Sequence, residues 1–240
     1  MLIPAFKLEM KNPILPGLAV VGKYDGENPC LTCATNAGRV FIHSPHERDE
    51  FTNAEVQYLN INRKVTCMAT GALDPTHARE ALLIGAQTTL FGYDIRNNTD
   101  IFYKDVPDGV NAMKVGIINS HDAPLAVVGG NCSIQGFDKD GQEQFWTVTG
   151  DNVACLEFCD VEGDGRAELL VGSEDYEIRI FQGAEVVSEV TETAAVMGLA
   201  ALKGTKYGYA LGNGTIGVYD RNRRVWRGKS KHTVSALPGF

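Results

Sequence analysis

One phrase returns along this 240-residue chain and constrains its fold more than any other feature. It consists of an apolar triplet, a glycine, an interval of four to six residues to Leu or Ile, and an aromatic three residues later. It reads LLIG (82–85) with Leu90 and Tyr93, then AVVG (126–129) with Ile134 and Phe137. It returns as LLVG (169–172) with Ile178 and Phe181, and as YALG (209–212) with Ile216 and Tyr219. A degenerate first copy, LTCATNAGRVFI (31–42), has Ala34 in the glycine's place. Each copy follows another apolar run, and these runs begin near residues 17, 65, 112, 153 and 196, a period of about 40 to 48 residues. Each copy precedes a further run, for example TDIFYKDV (99–106), EQFWTVTG (143–150), EVVSEVTE (185–192) and RRVWRGKS (223–230).

Short β-branched runs separated by Gly, Asn and Asp, with almost no helical periodicity, predict an all-β chain. Four antiparallel strands per unit at this period predict a β-propeller of about five blades, near 17–60, 65–106, 112–150, 153–192 and 196–232. A blade cannot cover both of its faces alone, so blades stack. The motif glycine is expected to let the chain turn closely into the third strand. The third-strand aromatic, alternating with residues such as Arg179 and Gly217, is expected to pack between blades. A meandering sandwich is the competing reading, and it does not demand so regular a spacing. Before the first blade, Phe6, Leu8 and Met10 alternate with charges over 5–11, which predicts one isolated strand of the kind that closes a ring.

Net charge is −8, from 30 acidic and 22 basic side chains, which argues against a nucleic-acid surface. No apolar run reaches the roughly 20 residues of a membrane span. Lys7, Glu9 and Lys11 break the N-terminal apolar stretch, so it is not a signal-peptide core and a cytosolic chain is expected. The six cysteines then read as reduced thiols. Cys30 and Cys33 have redox or zinc spacing, but an extended segment sends positions i and i+3 to opposite faces, which favours core packing.

The sharpest local motif is Asp160-Val-Glu162-Gly-Asp164-Gly-Arg166-Ala-Glu168. Carboxylates at positions 1, 3, 5 and 9 around a glycine at position 6, with the Arg166 carbonyl at position 7, suit a hard cation such as calcium in a structural role. Glu162 departs from the usual Asp or Asn, and Val171 stands where an EF-hand needs Glu. A simple Asp/Gly turn with a solvated acidic tip is the equal alternative. His43-Ser-Pro-His46-Glu47 reads as a solvated loop, because no further ligand has a defined spacing to it. The asparagines of Asn97-Asn-Thr, Asn131-Cys-Ser and Asn213-Gly-Thr read as turns. Arg221, Arg223, Arg224, Arg227, Lys229 and Lys231 form the one basic stretch, expected as a solvated strand face. No nucleophilic triad, phosphate loop or glycosidase carboxylate pair is legible, which favours a binding platform over an enzyme. An enzymatic or small-ligand propeller with a channel site is the alternative.

Several of these segments carry a resemblance: YDG-x-x-PCL (24–31), GRVFIHSPH (38–46), ALLIGAQTTLFGYD (81–94), GGNCSIQGFD (129–138), FWTVTGDNV (145–153), ELLVGSED (168–175) and YGYALGNGTIGVYD (207–220). Together they resemble the N-terminal propeller of the Bardet–Biedl syndrome protein 2 family. The resemblance implies a non-enzymatic scaffold subunit of the BBSome, the coat-like adaptor that moves membrane proteins to and from cilia. It implies other BBSome subunits as partners, especially subunits 7 and 9, and membrane-protein cargo through the complex. The implied location is cytoplasm, cilium and ciliary basal body, peripheral to the ciliary membrane. It also implies seven blades in the complete ring, so 1–240 is expected to be an N-terminal propeller cut short, with 233–240 opening a sixth blade. An incomplete ring with open blade faces is expected to self-associate.

Overall fold

The computed structural model describes residues 11–46, 56–118, 121–234 and 237. The expected strand at 5–11 therefore lies outside the described residues, apart from Lys11. The described residues form twenty strands in five antiparallel four-stranded sheets, each running in sequence order. Blade 1 comprises β1 (Ile14–Gly22), β2 (Cys30–Thr35), β3 (Arg39–His43) and β4 (Val56–Asn60). Blade 2 comprises β5 (Cys67–Gly71), β6 (Ala81–Ala86), β7 (Thr89–Asp94) and β8 (Thr99–Asp105). Blade 3 has β9 (Ala112–Gly116), β10 (Leu125–Gly129), β11 (Ser133–Phe137) and β12 (Glu143–Val148). Blade 4 has β13 (Val153–Cys159), β14 (Glu168–Ser173), β15 (Glu177–Gln182) and β16 (Glu185–Thr191). Blade 5 has β17 (Val196–Ala201), β18 (Lys206–Leu211), β19 (Thr215–Asp220) and β20 (Arg223–Lys229). The architecture is a β-propeller of consecutive blades. No helix among the described residues is long and apolar enough to cross a membrane.

The repeated triplets become the second strands β6, β10 and β14, buried along their whole length. Because successive side chains leave a strand on opposite faces, one triplet serves two seams. Leu82 and Ile84 enter the core between blades 1 and 2, while Leu83 enters the core between blades 2 and 3. Burying one such leucine contributes roughly 1.5–3 kcal/mol. The third-strand aromatics face the preceding blade: Tyr93, Phe137, Phe181 and Tyr219 each join the cluster shared with it.

The motif glycine does something other than turn the chain. At Gly85, Gly129 and Gly172 an added Cβ would lie 2.5, 2.3 and 2.7 Å from a methyl of Val110, Val153 and Val196, which open the next blade. Each glycine is a socket that the following blade's first valine fills. Its missing side chain, rather than a special φ, is what the stack requires. The left-handed residues sit later, in the turns, at Gln87, Tyr176 and Gly214.

One further expectation is corrected in detail, while the fourth strand expected in blade 1 is β4, VQYLN. His43 is not in a solvated loop: it ends β3 and is fully buried, whereas His46 is exposed and Glu47 lies outside the described residues. Cys30 and Cys33 are buried cysteines outside any disulfide, on opposite faces of β2. Desolvation drives the Cys67 and Cys155 thiols up to about 12, so these cysteines are packing groups.

Candidate functional site

The acidic motif forms the hairpin between β13 and β14. Asp160 opens it and turns its carboxylate inward: Oδ1 accepts the N–H of Gly163 at 2.7 Å and of Asp164 at 3.0 Å, and Oδ2 accepts that of Gly165 at 2.9 Å. Asp164 Oδ1 accepts the Arg166 N–H at 2.8 Å. Glu168 is only 1% exposed, and its Oε2 accepts the Val161 N–H at 2.8 Å. Glu162, Asp164 and Arg166 remain exposed at the tip. Positive φ at Gly163 and Gly165 allows the tight path. This is a carboxylate-closed turn of the Asx kind. Among the described residues no group of three or more His, Cys, Asp or Glu side chains is placed to hold a metal ion. As folded, Asp160, Asp164 and Glu168 each accept backbone N–H groups.

A hollow of about 410 Å³ lies where the innermost strands converge, and every blade contributes to it. Leu15 and Leu18 come from blade 1, Val153 from blade 4 and Met197 from blade 5, with Lys64, Asn111, Asn152 and Glu174 as polar lining. Asn111 Nδ2 donates to Asn152 Oδ1 at 2.6 Å and to Asn131 Oδ1 at 3.2 Å, tying blade 3 to blade 4. Neither cysteine nor histidine lines this hollow.

The densest polar constellation is one the sequence did not announce. Glu192 follows β16 with its side chain 0% exposed, in the seam between blades 4 and 5. Its Oε1 accepts the Tyr219 hydroxyl at 2.5 Å and Arg224 Nη2 at 2.8 Å. Arg224 Nη2 also donates to the Tyr219 oxygen at 2.8 Å, and its guanidinium lies 5.4 Å from that ring's centroid. Tyr207 and Tyr209 flank Tyr219, with centroids 5.5 and 5.2 Å away. Burial first, then the hydrogen bond to Glu192, pushes the Tyr219 hydroxyl up to about 12. The Glu192 hydrogen bond, followed by that to Tyr219, raises Arg224. Arg224 stays exposed on β20 like Arg223, Arg227 and Lys229, but its guanidinium turns toward Glu192. Nothing local signals this triad, because its members stand 27 and 32 residues from Glu192 in sequence.

Fold and sites together define a blade-repeat propeller whose polar residues hold blades together. Two family models place it further. The N-terminal region of ciliary BBSome complex subunit 2 matches residues 20–116, and the middle region of the same subunit matches 155–240. The chain belongs to the BBS2 family. It is 48% identical to the BBSome complex member BBS2 of Mus musculus and 47% identical to that of Homo sapiens, in each case over all of this chain and 35% of the relative. Against bbs-2 of Caenorhabditis elegans it is 39% identical, over 76% of this chain and 25% of that protein. The chain thus spans about a third of the length of its curated vertebrate relatives. Among solved structures, BBS1N in a complex with ARL6DN aligns with a TM-score of 0.71 and 14% identity, over 92% of this chain and 68% of that one. A chain of the mitotic checkpoint complex aligns at 0.68 and 14%, over 98% and 77%. Both share the fold.

Proposed function

We propose that this chain is a non-enzymatic scaffold and interaction propeller of the BBSome, serving the traffic of membrane proteins to and from cilia. The observation that carries the reading is the identity of 47–48% to BBSome members across the whole chain. The outer edges support it. Tyr58, Tyr103, Trp146 and Trp226 stand exposed on the outermost strands of four blades, the kind of aromatic display that protein interfaces favour. Other BBSome subunits are the partners, with subunits 7 and 9 foremost, and membrane-protein cargo is reached through the complex. The place of action is the cytoplasm, the basal body and the ciliary membrane's inner surface. Capture of the full-length protein from ciliated cells tests this: recovery of other BBSome subunits is expected, and their complete absence would sink the reading.

Calcium at the β13–β14 hairpin is a separate proposal, resting on the density of carboxylates at Asp160, Glu162, Asp164 and Glu168 and on the Arg166 carbonyl. The ion would have to draw Asp160 away from its three N–H partners. Its role would be structural, relieving repulsion between the carboxylates.

A further inference from the structure

The outermost strand of blade 5 differs in charge from that of every other blade. β4 carries no charged side chain. β8 carries Asp100, Lys104 and Asp105, β12 carries Glu143, and β16 carries Glu185 and Glu189, so these three are net negative. β20 carries Arg223, Arg224, Arg227 and Lys229 and no acid, in a chain whose net charge is −8. Among the described residues β20 pairs with β19 alone, so the backbone N–H and C=O groups of its outer edge are open to a further strand.

Register sets where the cations point. Tyr219 lies opposite Arg224, Gly217 opposite Arg227 and Thr215 opposite Lys229, and the irregularity between Val218 and Tyr219 keeps the three cations in phase. Alternate residues of β19 share a face, and Tyr219 turns that face toward blade 4. The contacts agree: Arg224 Nη2 reaches Glu192 at 2.8 Å, and Arg227 Nη2 donates to the Thr193 hydroxyl at 3.3 Å. Arg227 and Lys229 then stand about 7 Å apart along the strand. Among the described residues, Arg224 alone of the four cations has a carboxylate within ion-pair distance.

These features choose the occupant. A second copy would bring the same four cations to the edge and be repelled. A membrane surface would meet the cations, but it offers no partner to the open backbone groups, and Trp226 is not placed as an interfacial anchor. Its indole lies back along its own strand, with Cζ2 and Cη2 at 3.0 and 3.3 Å from the Cβ position of Gly228. An extended polypeptide pairs with the backbone edge, and acidic side chains on its alternate residues match the spacing of Arg227 and Lys229.

We propose that the outer edge of β20 is a docking site for an acidic, extended segment of a partner protein, which adds to blade 5 as a fifth strand. Arg227 and Lys229 select its carboxylates, and the exposed Val225 and Trp226 supply apolar contact area. The proposal is independent of the BBSome role, since it commits to the chemistry of the segment and not to the protein that carries it.

A fluorescently labelled nine-residue peptide that alternates glutamate with threonine tests it, by anisotropy on the purified full-length protein. Binding that weakens with salt is expected, with at least a tenfold loss in the double variant Arg227→Glu, Lys229→Glu. The counterpart peptide with lysine for glutamate should not bind. No binding by the parent, or equal binding by the variant, overturns the proposal. Failure to bind the peptide together with charge-dependent sedimentation on phosphatidylserine vesicles also overturns it, and makes the edge a membrane surface. Amide exchange needs no variant. The acidic peptide should slow exchange within Arg223–Lys229 at least tenfold, and protection confined to other blades overturns the strand addition.

Discussion

The seam between blades 3 and 4 and the seam between blades 4 and 5 share an apolar frame and a valine key but differ in what fills their centre. In the first, Leu125, Val127, Phe145, Leu169, Val171 and Phe181 meet in an apolar contact. In the second, Tyr207, Tyr209 and Tyr219 join the cluster, and Tyr219 and Arg224 meet a buried glutamate, Glu192. Both seams carry the valine key, Val153 in one and Val196 in the other. The key therefore sets the spacing of blades, and the filling between them is free to vary. An apolar filling depends on area. A charged one depends on every partner being present, because a buried carboxylate left alone is costly.

The largest effect should come from the apolar seam. Phe181→Ala removes a fully buried ring, and chemical denaturation should show a loss of about 3–5 kcal/mol. In the polar seam, Arg224→Ala should cost about 1–3 kcal/mol, less than a fully buried pair because the arginine side chain is 40% exposed. Adding Glu192→Gln to that variant should restore part of the loss. No restoration would mean that Arg224 acts by packing alone and that the two seams differ less than their chemistry suggests.

Alkaline pH should separate the seams next. Tyr219 titrates at about 12 in the folded chain, against an ordinary tyrosine value of 10.0. The unfolded chain therefore loses this proton first as pH rises. The stabilisation is complete below pH 10 and is lost progressively between pH 10 and about 12. Thermal melts of Tyr219→Phe should fall less steeply across that window than those of the parent. Equal slopes would assign the alkaline loss to other buried groups, such as Tyr207, Tyr209 and Cys159, which burial also raises.

The smallest effect belongs to the hairpin that leads into the polar seam. Asp160→Ala should lower stability by about 1–2 kcal/mol through its lost N–H bonds, and Asp164→Ala by less. The calcium proposal requires, in addition, a melting temperature raised by calcium and restored by chelator, with Asp164→Ala abolishing the difference. Equal melting temperatures leave a turn.

The repeat was readable because a second strand buried on both faces needs an unbroken apolar run, as in Leu82-Leu83-Ile84, and because the socket admits no side chain. The repeat counts a fourth strand in blade 1 without locating it, since the half-solvated Val56–Asn60 carries only a weak apolar pattern. The hairpin shows a different limit. Its residue types were legible, but whether Asp160 faces outward to an ion or inward to N–H groups depends on the backbone path through Gly163 and Gly165. The Glu192–Tyr219–Arg224 triad could not be read at all, since its spacing is a property of stacked blades and not of any one strand.

The innermost strands touch in simple succession, β1 with β5, β5 with β9, β9 with β13 and β13 with β17. A molecule joined in this way behaves thermodynamically as a short chain of coupled units. Each blade's resistance to opening is set by itself and by the seams on either side. A disturbance at one seam then decays over a blade or two. Melting by heat or denaturant becomes a sequence of fraying steps when a seam is weakened, and the broadening of the transition would report which seam gave way first.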